Sequence, residues 1–131
     1  MRSERDLIAL AAAARDSALA SYSGFKVGAA LEAADGRVYT GCNIENASYG
    51  LSVCAERVAL LKALNEGARE FRQIAVVTGA PALTPPCGAC RQLLWEFCGD
   101  IPVVLHSLQG LDEAHPLSAL LPHPFDRENL R

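Results

Sequence analysis

Residues 73–106 read "QIAVVTGAPALTPPCGACRQLLWEFCGDIPVVLH". Two short, almost wholly apolar runs, "QIAVVTG" (73–79) and "IPVVLH" (101–106), flank a helix-length stretch, "CGACRQLLWEFC" (87–98). Apolar runs of that length, with no polar alternation, are the pattern of strands buried on both faces. The proline-rich "APALTPP" joins the first strand to the helix. A strand–helix–strand crossover gives a parallel pair of fixed hand, so this stretch predicts an α/β fold with helices on both faces of a mixed sheet.

Toward the N-terminus, Ser3 and Asp6 resemble a capping box. Leu7, Leu10, Ala11, Ala14, Ala18 and Leu19 follow near one helical face, predicting a helix over 4–20 that "SYSG" (21–24) ends. "FKVGAALEAADGRVYTGCNI" (25–44) reads as an antiparallel hairpin about Asp35-Gly36, with Phe25, Val27 and Ala29 alternating along its first strand. Gly28 inside that strand marks a weak point or a close approach by another backbone. "NASYGLS" (46–52) is loop-like, and a helix opens within "LSVCAERVALLKAL" (51–64) and closes near Glu66-Gly67. In the tail, Pro116, Pro122 and Pro124 limit any helix to about 117–121. The predicted order is helix, hairpin, helix, strand, helix, strand, helix. No repeat or linker interrupts it, and 131 residues fit one domain, 1–131.

With 50% hydrophobic and 21% charged residues the chain has a globular composition. A net charge of −3, with no run of Lys or Arg, speaks against a nucleic-acid partner. The apolar "LIALAAAA" (7–14) is too short and too closely flanked by charge to span a membrane. No targeting segment is visible, so the expectation is a cytoplasmic protein. Five cysteines cannot all pair, and in a reducing compartment metal binding or free thiols are the better readings.

Cys87 and Cys90 form a C-x-x-C pair at a helix start. Taken alone it fits a redox pair, two core cysteines, or half of a metal site. Cys54, also at a helix N-terminus, can add a third thiolate. Zinc favours thiolates, and three protein ligands leave a position open for water. Cys98 lies eight residues past Cys90, on the order of 12 Å along the helix, so it does not close such a site, while Cys42 stays open as a fourth. Glu56 weights the choice toward the open site. A carboxylate beside a zinc-activated water, but not ligating, is placed to act as base and proton shuttle. Cys54 and Glu56 point roughly 200° apart around a helix, so both reach only an ion lying off the helix end. Two helix N-termini would temper the charge of such a cluster. Arg57 and Arg91, three and four residues after Cys54 and Cys87, can each return over its own thiolate.

"CAE" (54–56) with "PCGAC" (86–90) resembles the zinc nucleoside and nucleobase deaminase signature. "YSGFKVGAAL" (22–31), "GCNIENASYGLSVCAERVAL" (41–60) and "PCGACRQLLWEF" (86–97) extend the likeness to the small, homotetrameric cytidine deaminases over roughly residues 5–125. Lys26 departs from it, standing where a proline is common. The resemblance implies a three-layer α/β/α sandwich with about five strands in a mixed sheet. It implies one zinc per subunit on Cys54, Cys87 and Cys90, with Glu56 moving protons. It also implies that Asn43 and Glu45 bind the ribose hydroxyls, that Phe25 packs on the pyrimidine, and that Ala47, Tyr49 and Phe125 reach a neighbouring subunit's substrate site. The Ala55 N–H, an exposed helix-end donor, could orient the base carbonyl. Arg57 would offset the thiolate charge.

The implied reaction is hydrolytic deamination of cytidine and 2′-deoxycytidine in pyrimidine salvage. "NIENAS" (43–48) points to ribose and away from a cytosine-containing antibiotic, which is the nearest rival substrate. A structural zinc or redox module without catalysis is the rival of another class. His106, His115 and His123 lie outside the motifs and read as structural or surface residues.

Overall fold

A computed structural model describes residues 1–131. Five strands form one sheet in the order β2-β1-β3-β4-β5. They are β1 (Val27–Ala33), β2 (Val38–Cys42), β3 (Phe71–Thr78), β4 (Pro102–Ser107) and β5 (Leu111–Pro116). The α-helices are α1 (Glu4–Arg15), α2 (Ala55–Asn65), α3 (Gly88–Cys98) and the short α4 (Leu117–Leu120), and single 3-10 turns cover Tyr49–Leu51 and Arg127–Leu130. β3 and β4 are parallel, as the crossover through α3 requires, and every other pairing is antiparallel. No helix is long and apolar enough to cross a membrane.

Side chains of successive strand residues leave opposite faces, and the core divides accordingly. Ala30, Ala75, Val77 and Val104 pack with Leu7 and Ala11 of α1. Ala29, Leu31, Ile74, Val76, Val103 and Leu105 pack on the other side with Ala59, Leu60 and Ala63 of α2, Leu94 of α3 and Leu117 of α4. The result is the three-layer α/β/α arrangement the resemblance implies. Because both faces of β1 are covered, its burial runs unbroken after Val27 instead of alternating.

Two glycines set how closely the helices approach. A Cβ on Gly28 would stand 2.0 Å from the Ala11 carbonyl oxygen of α1. On Gly41 it would stand 2.4 Å from the Ala55 carbonyl oxygen of α2. Gly28 therefore marks the close backbone approach its position in a strand suggests, and Gly41 plays the same part on the opposite face.

The structure differs from the sequence reading in three places. α1 ends at Arg15 and not near residue 20. Leu19 is drawn away by long-range pairing: its N–H donates to the Asn43 carbonyl at 3.0 Å, and its carbonyl accepts from the Glu45 N–H at 2.8 Å. Phe25 lies outside β1, in the approach to it. The tail contains β5, which the predicted order lacks, followed by α4 where a short helix is expected. The Ser3 cap is present, its hydroxyl accepting from the Asp6 N–H at 3.1 Å.

Candidate metal and substrate site

Cys54 is the N-cap of α2 and Cys87 the N-cap of α3. Neither helix continues its backbone ladder past these residues, so both thiols lie off a helix end, where the partial positive charge of the dipole favours a thiolate. A short extra pairing fixes the first of them. Ile44 and Val53 exchange backbone hydrogen bonds at 3.0 and 2.9 Å, while Leu19 pairs on the other side of Ile44. The strip holds Asn43, Glu45 and Cys54 around one opening.

Cys54, Cys87 and Cys90 bring their sulfurs within 4.8 Å of one another, and the Cys54 and Cys87 sulfurs are 3.8 Å apart. Tetrahedral bonds of about 2.3 Å to zinc give a sulfur–sulfur edge of about 3.8 Å, so the spacing fits that ion. Cys42 and Cys98 are not in the cluster. Cys98 packs against the main core at the far end of α3, where burial pushes its thiol up to about 12.

Electrostatics set the Cys54 and Cys90 thiols apart from each other. The Cys54 thiol falls to about 6, chiefly because the Cys90 thiol hydrogen-bonds to it, with help from Cys87 and the Arg57 guanidinium against the opposing effect of burial. Cys90 moves strongly upward because it is the donor in that contact and is buried beside negative neighbours. Arg57 Nε is buried without a hydrogen-bond partner. A trio in which the Cys54 thiol is held low, next to a buried guanidinium nitrogen without a partner, fits thiolate ligands on a bound cation better than it fits an inert core.

Glu56 sits beside the trio, 4% exposed. Burial raises its carboxyl to about 7, the Cys54 charge adding to the rise, while its own backbone amide, the Cys90 thiol and Arg57 oppose it. A carboxyl held near neutrality can both take and give a proton at neutral pH.

The opening above these groups is a pocket of about 340 Å³, roomy enough for a small planar molecule. Phe25, Asn43, Glu45, Cys54, Ala55, Glu56 and Cys87 all line it. The sequence reading missed Ser23, Val27, Ser52, Val53, Val76, Thr84 and Pro85 in the same wall. Of these, Thr84 and Pro85 were signalled by their place immediately before the C-x-x-C pair.

Asn43 is nearly buried and brackets the aromatic wall. Its Nδ2 donates to the Phe25 carbonyl at 2.8 Å and its Oδ1 accepts from the Val27 N–H at 2.9 Å. One N–H and one lone pair remain for a ligand. The Glu45 carboxylate accepts from the Tyr22 and Ser23 N–H groups, each at 2.9 Å, and from the Ser23 hydroxyl. The Ser23 hydroxyl and amide hold that carboxyl below the usual carboxylate range.

Ala47, Tyr49 and Phe125 do not line this pocket, and all three are exposed. Arg91 does not turn over Cys87. Its Nε donates to the Pro86 carbonyl at 2.7 Å and its Nη1 to the Leu120 carbonyl at 2.6 Å, because two uncovered carbonyls outcompete one thiol for a planar guanidinium. His106 pairs with Asp112 across β4 and β5, and His115 lies 2.6 Å from Glu113; neither lines the pocket.

A mixed sheet whose two facing helix ends gather three thiols and a buried carboxyl defines a class of α/β protein built around a thiolate-held metal. The cytidine and deoxycytidylate deaminase zinc-binding region matches residues 1–106, which contain all three thiols. The chain belongs to that family. It is 49% identical over 125 residues to a cytidine deaminase of Sporosarcina psychrophila, covering 95% of this chain and 92% of the relative. A cytidine deaminase of Halalkalibacterium halodurans is 51% identical over 125 residues, 95% of each chain. The crystal structure of cytidine deaminase from Burkholderia pseudomallei superposes with a TM-score of 0.92 at 49% identity, covering 95% of this chain and 100% of that one.

Proposed function

We propose that the chain deaminates cytidine and 2′-deoxycytidine by hydrolysis, giving the uridine product and ammonia. The observation that carries this reading is Glu56, a buried carboxyl in the pocket wall, beside the three thiols but outside their cluster. Cys54, Cys87 and Cys90 would hold the zinc, and bound there the ion supplies Lewis-acid activation of an attacking water.

Glu56 takes one proton from that water and delivers it to ring N3, which makes C4 electrophilic. As the C4–O bond forms and the C4–N bond breaks, the same carboxyl carries the second water proton to the departing amino nitrogen. Phe25 offers its face to the pyrimidine. The N–H left on Asn43 and the carboxylate of Glu45 suit sugar hydroxyls, and the Ala55 N–H at the start of α2 suits the base carbonyl. Arg57 offsets the thiolate charge from behind.

A carboxylate at Glu45, near the sugar, disfavours substrates with a phosphate there, and a net charge of −3 disfavours polynucleotides. The whole chain, 1–131, acts as one domain in the cytoplasm, in pyrimidine salvage. It assembles as a homotetramer in which Ala47, Tyr49 and Phe125 complete a neighbour's site. Two exposures support that reading: Tyr49 is 76% and Phe125 61% accessible, although both are large aromatics.

A panel of cytosine nucleosides and their monophosphates, followed by ultraviolet absorbance with and without a zinc chelator, tests the reading. Conversion of the nucleosides that the chelator abolishes is expected. Chelator-resistant turnover, or turnover of the monophosphates alone, would sink it.

A further inference from the structure

Helix α3 carries Cys87 and Cys90 on its first turn, and a different stripe of the same helix grips the C-terminal segment. Positions 91, 92, 95 and 96 fall on that stripe. Arg91 Nη1 donates to the Leu120 carbonyl at 2.6 Å, and Gln92 Nε2 to the Phe125 carbonyl at 2.6 Å. Trp95 Nε1 donates to Asp126 Oδ2 at 3.0 Å, and Glu96 accepts from Arg127 Nη2 at 3.2 Å.

Arg91 differs from the other three in having a second anchor. Its Nε donates at 2.7 Å to the carbonyl of Pro86, the residue bonded directly to Cys87. Pro85 and Pro86 have no N–H, so carbonyls are the only backbone groups by which this part of the loop can be fixed. The guanidinium is a rigid planar fork and always charged, so it sets both the distance and the orientation between the two carbonyls it joins. The far anchor is itself firm. Leu117 of α4 is fully buried in the main core, and its N–H donates to the Ile101 carbonyl at 3.0 Å.

We propose that Arg91 is a positioning residue for the thiol cluster. It locks the Pro86–Cys87 peptide to the end of α4, so that docking of the C-terminal segment and placement of the Cys87 thiol are mechanically one event. The proposal rests on the zinc deaminase reading only for what the cluster holds.

The test uses the full-length, zinc-loaded chain with R91M, which keeps the aliphatic stem and removes both donors, and R91K, which keeps one charged donor. Zinc release to a coloured chelator, the visible spectrum of the cobalt-substituted chain and the melting temperature are measured together. R91M is expected to speed release by about tenfold or more and to shift the cobalt–thiolate bands, with R91K intermediate. The pair Q92A/W95F, which loosens the tail without touching Pro86, is expected to speed release in the parent chain. It should add nothing in the R91M background.

Unchanged release and spectrum in R91M, with or without a lower melting temperature, would assign Arg91 to stability alone and overturn the proposal. So would a Q92A/W95F effect of equal size in both backgrounds. If the parent chain held no zinc, the deaminase reading would fail separately. The proposal would then be judged by alkylation of Cys87 in the metal-free chain, which R91M should accelerate several-fold and which an equal rate would contradict.

Discussion

Helix α2 begins with Cys54-Ala55-Glu56-Arg57 and α3 with Cys87-Gly88-Ala89-Cys90-Arg91, each placing a thiol at its N-cap. Two residues on, α2 has a buried carboxyl, whereas α3 has an exposed methyl group. Each start also has an arginine, and the two are used in opposite ways. Arg57 keeps a buried Nε without a partner beside the thiols, while Arg91 is bonded to two carbonyls away from them. The end of α2 is electrostatically unfinished and the end of α3 is mechanically closed. A metal–thiolate site needs both, because mobile charge has to work against ligands that stay in place.

The sharpest way to break this division is Glu56→Gln. It should lower kcat by about 10²–10⁴-fold while the chain still binds one zinc, as metal analysis and steady-state kinetics would show. Loss of zinc together with activity would mean that the α2 end also carries the mechanical role.

Next come the two glycines beneath the helices. Gly41→Ala drives a Cβ into the Ala55 carbonyl of α2, and Gly28→Ala into the Ala11 carbonyl of α1. Each is expected to lower stability by about 1–3 kcal/mol in denaturant melts, the usual range for overpacking. Only Gly41→Ala should also reduce kcat at full zinc loading, since it displaces the residue next to Glu56. Equal kinetic effects would show that the α2 end is no more sensitive to displacement than the opposite face.

The smallest effect lies outside the pocket, on β1. Glu32 is fully buried on β1, where burial pushes its carboxyl up. The Arg2 N–H, Gln73 and Arg72 outweigh that and leave it below the ordinary value of 4.5. A depressed carboxyl stabilises the fold above its unfolded pKa, and that contribution is lost as pH falls through the folded one. Melting temperatures of the parent chain should therefore drop more steeply below about pH 4.5 than those of Glu32→Gln. Parallel curves would remove Glu32 from the account of acid stability.

Much of this layout is legible in sequence because it is local. The strand–helix–strand run at 73–106, the Asp35-Gly36 turn and the cysteines ahead of two apolar helices each declare themselves within a few residues. β5 did not, because Asp112, Glu113 and His115 belong to an exposed edge strand with no buried face to pattern. Leu19 fits a helical face, yet its backbone is claimed by Asn43 and Glu45, a pairing with no local trace. The same holds at the site. Ser23 holds Glu45 across 22 residues, and Arg91 reaches Leu120 across 29, whereas a nearest-turn rule directs Arg91 to Cys87.

The central claim is that one metal, held by thiols from two helix ends, makes the pocket a nucleoside deaminase. Titrating the zinc-free chain with zinc while following cytidine conversion tests it most directly. Activity should rise linearly from background and break at one zinc per chain. Activity already present without zinc, or a break only at a second equivalent, would contradict it.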